Sequence, residues 1–150
     1  MSAEEGSAPA DVVRNVAIGA DHGAVEQKAL LVRYLEVLGY RVTDVGTFGT
    51  EKVDYPDIAL AVCRKVKSGA CERGIVLDGA GIGSCMAANK VRGIRAAMCY
   101  DLRTVVNSRE HNNANVLTLG GPLHTPDRLA EMVKVWLETR FAGGRHIVRI

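Results

Sequence analysis

A glycine-rich turn is one place in this sequence where an anion could bind. The turn GAGIG spans residues 79–83 and leads from an apolar run into a helical stretch. Glycines let the backbone approach a ligand closely, and free N–H groups at the start of a helix bind anions. Glycine also favours tight strand-to-helix turns for steric reasons alone, so both interpretations stay open. The dinucleotide fingerprint GxGxxG is not met, because its third glycine would fall on Ser84.

Two histidines and two arginines lie in segments typical of loops or chain ends. His22 follows the first apolar run, and His111 precedes the last. Histidine can serve as an acid or a base near neutral pH, although a lone histidine is more often a surface residue. Arg145 and Arg149 are four residues apart, which places both on one face of the tail if it is helical. Such a pair suits a phosphate group, and a solvated basic terminus is the competing interpretation.

Two further segments carry the signals of helix starts. In DYPD (54–57), Pro56 predicts the first turn of a helix that runs to about Lys67. By default Asp54 is then the N-cap of that helix and Tyr55 a packing residue. Thr125, followed by a proline, predicts the N-cap of the last helix.

Strand-like and helix-like segments alternate along the chain. Buried strands are predicted at 15–21, 41–46, 73–79, 94–101 and 115–121. Helices are predicted from about 25 to 38, 56 to 67, 84 to 91 and 102 to 110, with a last one from 125. Short connections between alternating elements predict one parallel sheet with helices on both faces. Ligands gather at the carboxyl ends of such strands, whereas His111 lies before the fifth strand, from where it could still reach a cleft made with a second subunit.

Composition indicates one small domain. The 150 residues, 47% of them hydrophobic, suffice for a single core, and we expect a domain at 15–150 behind a flexible extension at 1–14. That extension lacks the apolar core of a signal peptide. A net charge of +2 suggests no nucleic-acid partner, and no apolar run approaches the roughly 20 residues of a membrane span. The four cysteines show no CxxC spacing, so we expect reduced thiols in the cytoplasm rather than disulfides or a zinc site.

Five motifs together resemble the ribose-5-phosphate isomerase B family, which includes the galactose-6-phosphate isomerase subunits. The match covers about residues 16–149. Its components are IGADHGA (18–24), DYPD (54–57), GAGIGSCMAANKVRGIRAA (79–97), REHNNANVLTLG (109–120) and GGRH (143–146). DYPD or GGRH alone would be a weak signal, but all five occur in order with fitting spacings.

The resemblance implies a fold, an activity and an assembly. The fold is a single-domain, Rossmann-like α/β/α sandwich of three layers with a five-stranded parallel sheet. The activity is the interconversion of aldose and ketose sugar phosphates through a cis-enediolate, with no metal or organic cofactor. The assembly is a homodimer or a dimer of dimers with active sites shared between subunits, and neither nucleic acid nor membrane is a partner.

The resemblance also assigns roles to individual residues. His111 assists opening of the sugar ring, and the backbone N–H groups of the turn stabilise the enediolate oxygen. The turn positions concerned are Gly79, Gly81 and Gly83. Substrate contacts fall on Asp21, His22, Tyr55, Asn112, Arg145 and Arg149, the last two of which hold the phosphate.

Three positions depart from the family pattern. Asp78 replaces the cysteine that serves as base in many members, Ala80 replaces a hydroxyl-bearing residue, and Pro122 replaces a phosphate-contacting arginine. A second branch of the family uses a glutamate as base, and Ser84 stands at that position. An ionised carboxylate at the end of a strand can accept a proton, so Asp78 is the candidate base, ahead of Cys85. The alternative is that Asp78 only caps the following helix.

These observations leave three functional hypotheses. The first is a sugar-phosphate isomerase with Asp78 as base, His111 as ring opener and the tail arginines as phosphate clamp, acting on ribose 5-phosphate or a related sugar phosphate. The missing arginine at Pro122 points to a smaller, deoxygenated or differently placed substrate. The second is a protein that binds sugar phosphates without turnover. The third, a nucleotide-binding module, is supported only by the glycine turn and by Asp101 about 20 residues later.

Overall fold

The computed structural model describes residues 12–150. The predicted flexible extension at 1–14 therefore lies almost wholly outside the described residues. The chain enters the fold at Arg14 and Asn15, whose backbone N–H groups donate to the Glu72 carboxylate at 2.7 and 2.8 Å. Within the described part of the chain, no helix has the length and apolar character that crossing a bilayer requires.

Five strands form one sheet in which every pairing is parallel. The strands are β1 (Asn15–Ala20), β2 (Arg41–Asp44), β3 (Arg73–Asp78), β4 (Ala96–Met98) and β5 (Val116–Gly120). Their order across the sheet is β2-β1-β3-β5-β4, so β5 inserts between β3 and β4. The predicted α/β class and the five-stranded parallel sheet are confirmed.

Helices cover both faces of the sheet. The α-helices are α1 (Val25–Val37), α2 (Tyr55–Lys67), α3 (Ile82–Ala88), α4 (Leu102–Glu110) and α5 (Pro126–Glu138), and short 3-10 helices span Gly121–Leu123 and Gly144–Arg149. Ile18 of β1 joins one buried cluster with residues of α1, α4 and α5. The preceding residue, Ala17, joins a second cluster with residues of α2 and α3. Alternate strand residues thus face two helix layers, as the period of a strand requires.

The fourth strand is shorter than the sequence predicts. The apolar run predicts a strand over 94–101, but β4 keeps only Ala96–Met98. Before it, the N–H of Arg95 donates to the side chain of Asn115 at 2.8 Å. After it, Asp101 donates its N–H to the Thr104 hydroxyl at 3.2 Å, which already starts α4. Side chains from other segments therefore take the backbone groups that would have lengthened this strand.

The helices begin within two residues of their predicted starts but differ in their caps. The Thr125 hydroxyl accepts the N–H of Arg128 at 3.2 Å, as an N-cap does. Helix α2 begins at Tyr55, one residue earlier than predicted. Asp54 occupies the N-cap position, but its side chain accepts no capping hydrogen bond from the described helix. The prediction that Asp54 is the N-cap residue is therefore confirmed, without a capping hydrogen bond from its side chain.

Candidate active site

The glycine-rich turn lies at the carboxyl edge of the sheet, where three strands end together. β3 ends at Asp78, opposite Gly120 at the end of β5. Asp21 follows β1 and donates its backbone N–H to the carbonyl of Leu77 at 3.1 Å. The segments after β1, β3 and β5 therefore meet at the edge where parallel sheets bind ligands.

Asp78 caps the short helix α3. Its side chain is 5% exposed. Its two carboxylate oxygens accept the backbone N–H groups of Gly81 and Ser84, the second at 3.1 Å. These are the contacts of the capping role that the sequence leaves open. Each carboxylate oxygen has a further lone pair, so capping does not exhaust the capacity of Asp78 to accept a proton. Ser84, at the position where a second branch of the family has its glutamate base, is wholly buried.

The turn requires glycine at two positions and leaves a third open. Gly81 has a φ of +77°, and a Cβ there would lie 2.9 Å from the backbone of Leu119. A Cβ at Gly83 would lie 2.5 Å from the Tyr55 ring. A Cβ at Gly79 would meet nothing within 4 Å of the described chain. Steric need explains Gly81 and Gly83, whereas Gly79 borders space that a ligand can enter.

The turn after β1 places His22 beside the loop that follows β2. The Asp21 carboxylate accepts the N–H of Gly23 at 2.9 Å, which fixes the turn. Nδ1 of His22 accepts the N–H of Val53 at 3.2 Å, so the ring holds the loop that leads into α2. Tyr55, the first residue of α2, is 40% exposed. Asp21, His22 and Tyr55 therefore lie on the same edge as the glycine turn.

A buried ion pair, absent from our sequence analysis, holds the same loop. Lys28 of α1 is 2% exposed, and its Nζ contacts the two Asp44 oxygens at 2.7 and 2.6 Å. The Asp44 carboxylate also accepts the N–H of Gly46 at 2.9 Å. The Phe48 ring lies over the ammonium group, with 4.2 Å from Nζ to the ring centroid. The available sign of this ion pair in the sequence was Lys28, a charged residue among the apolar residues of α1.

A second group of polar residues surrounds His111 at the end of α4. Nδ1 of His111 lies 3.0 Å from Nδ2 of Asn107. The His146 ring stacks on the His111 ring, with centroids 4.3 Å apart and planes inclined by 17°. Nδ2 of Asn112 contacts both the main-chain oxygen and Oδ1 of Asn107, at 3.3 and 3.1 Å. Asn107 and His146 were not among the predicted site residues.

The local surroundings favour the neutral form of His146. The residue is 8% exposed, and its burial lowers the pKa of the imidazole below 6.5. The nearby His111, Arg145 and Arg149 lower this pKa further, because each disfavours an added positive charge.

The C-terminal tail does not pair its two arginines on one helical face. Residues 144–149 form a 3-10 helix with three residues per turn, so residues three apart, not four, share a face. His146 and Arg149 therefore share one side of the tail, and Arg145 lies on another. The i, i+4 argument for a two-arginine face was wrong, because it assumed α-helical geometry.

The glycine turn and the His111 group lie at opposite ends of the strands. The carbonyl of Asn115 accepts the N–H of Gly74 near the start of β3, whereas Asp78 ends that strand. At about 3.3 Å per residue, the four steps from Gly74 to Asp78 separate these ends by roughly 13 Å. A single chain therefore does not bring His111 into contact with the turn.

A groove of about 820 Å³ runs along β4, an edge strand of the sheet. Its lining includes Tyr100 and Asp101, which follow β4, and Asn112 and Arg149 from the His111 side. The groove thus connects the surroundings of His111 with the region beyond the carboxyl end of β4.

Three of the four cysteines are buried, and the fourth, Cys85, is partly exposed. Burial raises the pKa of the Cys63 and Cys99 thiols to about 11, which keeps them protonated and unreactive near neutral pH. The thiol of Cys85 contacts the carbonyl of Ala96 at 3.5 Å, next to β4. Within residues 12–150, no group of three or more His, Cys, Asp or Glu residues is arranged to hold a metal ion.

Comparison with known proteins identifies the family. The Ribose/Galactose Isomerase family matches residues 16–150. The chain is 42% identical to the D-erythrulose-4-phosphate isomerase of Pectobacterium atrosepticum, over 87% of this chain and 86% of that protein.

Solved structures agree with the sequence match. The ribose-5-phosphate isomerase B of Clostridium thermocellum is similar with a TM-score of 0.88 and 48% identity, over 90% of this chain and 91% of that one. The type B ribose 5-phosphate isomerase of Trypanosoma brucei is similar with a TM-score of 0.88 and 43% identity, over 92% and 95% of the two chains. The chain therefore belongs to the ribose/galactose isomerase family, which confirms the predicted family, its α/β fold and its class of activity, the isomerisation of phosphorylated sugars.

Proposed function

We propose that this protein interconverts the aldose and ketose forms of a four- or five-carbon sugar phosphate in active sites shared by two subunits. The division of the candidate residues between the two ends of the strands carries this proposal. One subunit supplies the turn with Asp78, and its partner supplies His111 and the tail. The assembly is a homodimer or a dimer of dimers that acts in the cytoplasm.

Asp78 is the proposed base at the first half of the site. The carboxylate takes the proton from C2 of the open-chain aldose, and the electrons of that C–H bond form the cis-enediolate. Transfer of the hydroxyl proton from O2 to O1, together with return of the abstracted proton to C1, gives the ketose. The hydrogen bonds from Gly81 and Ser84 support this role, because they hold the carboxylate beside the open space at Gly79. Backbone N–H groups of the turn stabilise the negative oxygen of the intermediate.

Four residues frame that half of the site. Gly79 leaves room for the substrate, and Asp21 and His22 contact its hydroxyl groups from the turn after β1. Tyr55 forms a wall, and its contact with Gly83 supports this position.

The second half of the site handles ring opening and the phosphate. His111 assists opening of the cyclic sugar, and Asn112 contacts the substrate beside it. Arg145 and Arg149 hold the phosphate with charge-assisted hydrogen bonds. The position of Arg149 in the groove beside Asn112 supports its assignment. Because Arg145 and Arg149 lie on different sides of the tail, Arg145 would contact the phosphate from another direction than Arg149.

The size of the sugar is the finer part of the proposal. Pro122 lies exposed in the 3-10 turn after β5, where the family pattern has a phosphate-contacting arginine. Without an arginine at position 122, this part of the site has one positive charge fewer with which to hold a phosphate. A shorter sugar, whose phosphate would lie at a different place in the site, suits this arrangement. The names of the relatives support both sizes, since they include a D-erythrulose-4-phosphate isomerase and ribose-5-phosphate isomerases B.

Proton exchange tests the activity and the base together. We would follow four-, five- and six-carbon aldose and ketose phosphates by proton NMR in deuterated buffer, with wild type and Asp78→Asn. We expect deuterium at C1 or C2 of a four- or five-carbon substrate, and a rate loss of about a hundredfold or more in the variant. No exchange with any sugar phosphate contradicts the proposal. Full exchange by Asp78→Asn reduces Asp78 to a helix cap and moves the search for the base to Cys85.

Subunit mixing tests whether the site is shared. Differently tagged Asp78→Asn and His111→Gln chains are mixed, dissociated and reassociated, and mass spectrometry confirms the mixed dimers. A shared site predicts recovery to about one quarter of the wild-type rate, since half of the dimers are mixed and each has one intact site. Mixed dimers without recovered activity would place each site within a single chain.

A further inference from the structure

We infer that Asn107 fixes the tautomer of His111, so that the ring accepts a hydrogen bond at Nδ1 and presents an N–H group at Nε2 to the substrate. The inference rests on the proposed role of His111 and adds Asn107 as a positioning residue. It follows from a chain of three contacts at the end of α4.

The first contact defines the orientation of the Asn112 amide. One end of that amide lies 3.3 Å from the main-chain oxygen of Asn107. A main-chain carbonyl accepts hydrogen bonds and never donates them. The atom facing it is therefore the amide nitrogen, Nδ2.

The second contact defines the orientation of the Asn107 amide. The same Nδ2 of Asn112 lies 3.1 Å from the Asn107 side chain. Two amide nitrogens would both donate, so the Asn107 atom at this contact must be its oxygen, Oδ1. The nitrogen of the Asn107 amide then faces the other way, toward His111.

The third contact defines the protonation of the His111 ring. Nδ2 of Asn107 lies 3.0 Å from Nδ1 of His111. Because the amide nitrogen donates, Nδ1 must offer a lone pair. An imidazole with an unprotonated Nδ1 is neutral and carries its proton on Nε2.

The stack with His146 keeps this arrangement in place. The two rings are nearly parallel at 4.3 Å between centroids, so His146 restrains rotation of the His111 ring out of its plane.

The chemical consequence is a hydrogen-bond donor without a net charge. The Nε2–H group can donate a hydrogen bond to the ring oxygen of the sugar and stabilise the negative charge that develops there, while the proton of the anomeric hydroxyl passes to that oxygen as the ring opens. A neutral histidine polarises a substrate oxygen in a similar way in triosephosphate isomerase.

Nitrogen NMR of the histidine rings tests the tautomer directly. The full-length protein is labelled with ¹⁵N in histidine, and the His111 signals are assigned with His111→Gln. We expect the wild-type ring to show a protonated Nε2 and an unprotonated Nδ1. In Asn107→Asp the new carboxylate can only accept, so we expect Nδ1 of His111 to become protonated. In Asn107→Ala, which adds no charge, we expect a mixture of the two neutral tautomers.

Glu110→Gln is the matched control, because residue 110 is exposed on the same helix beside His111. Its His111 spectrum should remain that of the wild type, and circular dichroism should show that all the variants are folded. A wild-type ring protonated at Nδ1 overturns the inference, as does an unchanged His111 spectrum in both Asn107 variants. Activity separates this failure from that of the proposed function, since full turnover by His111→Gln removes the role of His111 whatever its tautomer.

Discussion

The His146 ring covers one face of the His111 ring, with centroids 4.3 Å apart and an interplanar angle of 17°. These residues lie 35 positions apart, and the tail returns to α4 through two contacts. The N–H of Ala142 donates to the carbonyl of Glu110 at 3.0 Å, and the Arg109 side chain donates to the carbonyl of Thr139 at 2.9 Å. The last helix and its tail therefore control the surroundings of His111.

The lowered pKa of His146 predicts a loss of stability in mild acid. Burial keeps the folded-state pKa below the ordinary 6.5, so unfolding allows the imidazole to take up a proton. This contribution to stability is fully present above pH 6.5 and is lost as the pH falls through the folded-state pKa. His146→Phe keeps the stack and removes the titration, so its melting temperature should fall less than that of wild type between about pH 8 and 5.

Another histidine provides the comparison for this pH effect. The pKa of His124 is also lowered, by burial first and then by Arg128, so the melting temperature of His146→Phe should keep part of its dependence on pH. If the melting temperatures of wild type and His146→Phe depended on pH in the same way, the pKa of His146 would be the same in the folded and unfolded states.

Removing the Asp78 carboxylate should lower the stability of the glycine-rich turn as well as the catalytic rate. Asp78→Ala leaves the N–H groups of Gly81 and Ser84 without their acceptor. Loss of such a cap costs about 1–2 kcal/mol in the free energy of unfolding, which urea denaturation measures. Asp78→Asn keeps one acceptor oxygen and should cost less. Equal stability of wild type and Asp78→Ala would mean that these hydrogen bonds do not hold the turn.

Two glycine substitutions separate the binding surface from the folded structure. A Cβ at Gly79 enters open space, so Gly79→Ala should keep the wild-type melting temperature while raising KM or lowering kcat. A Cβ at Gly83 would lie 2.5 Å from the Tyr55 ring, so Gly83→Ala should displace that ring and lower both stability and activity. Wild-type kinetics in Gly79→Ala would exclude close approach of the substrate at this point of the turn.

Removing the lysine of the buried ion pair should lower the free energy of unfolding much more than removing the lysine of an exposed ion pair. Lys28→Met leaves the Asp44 carboxylate without its cation, at a cost of about 2–3 kcal/mol, because Asp44 is partly exposed. The double variant Lys28→Met with Asp44→Asn removes both charges and should recover part of this loss. Lys134→Met, which breaks the exposed pair with Glu138, is the control and should leave the urea midpoint nearly unchanged. Similar losses in the two lysine variants would contradict a special role of burial.

The fold was predictable because its signals are local. Apolar runs of residues indicate the strands. Thr125 indicates the start of the last helix, and its hydroxyl accepts the N–H group of Arg128, only three residues later. The limits of β4 were missed because they depend on side chains from other segments, those of Asn115 and Thr104. Periodicity contains no information about such contacts.

The site was predictable in its residue types and only partly in its geometry. The order of the segments indicated that Asp78 follows a strand whereas His111 precedes one, but it did not indicate the contacts of His111 with Asn107 and His146. Asn107 stands four residues before His111 in a predicted helix, and that spacing was an available signal for their contact. The stacking of His146 depends on the path of the tail, for which the sequence offers no local sign.

The position of β5 between β3 and β4 has a consequence for synthesis of the chain. Among the strands of residues 12–150, β4 pairs only with β5, and β5 follows it in the sequence. A nascent chain that has emerged from the ribosome only as far as α4 can join β2, β1 and β3, but its β4 has no strand to bond and its β3 keeps an open edge. The arrival of β5 closes both edges in one step, so the half of the sheet that borders the groove assembles only near the end of translation.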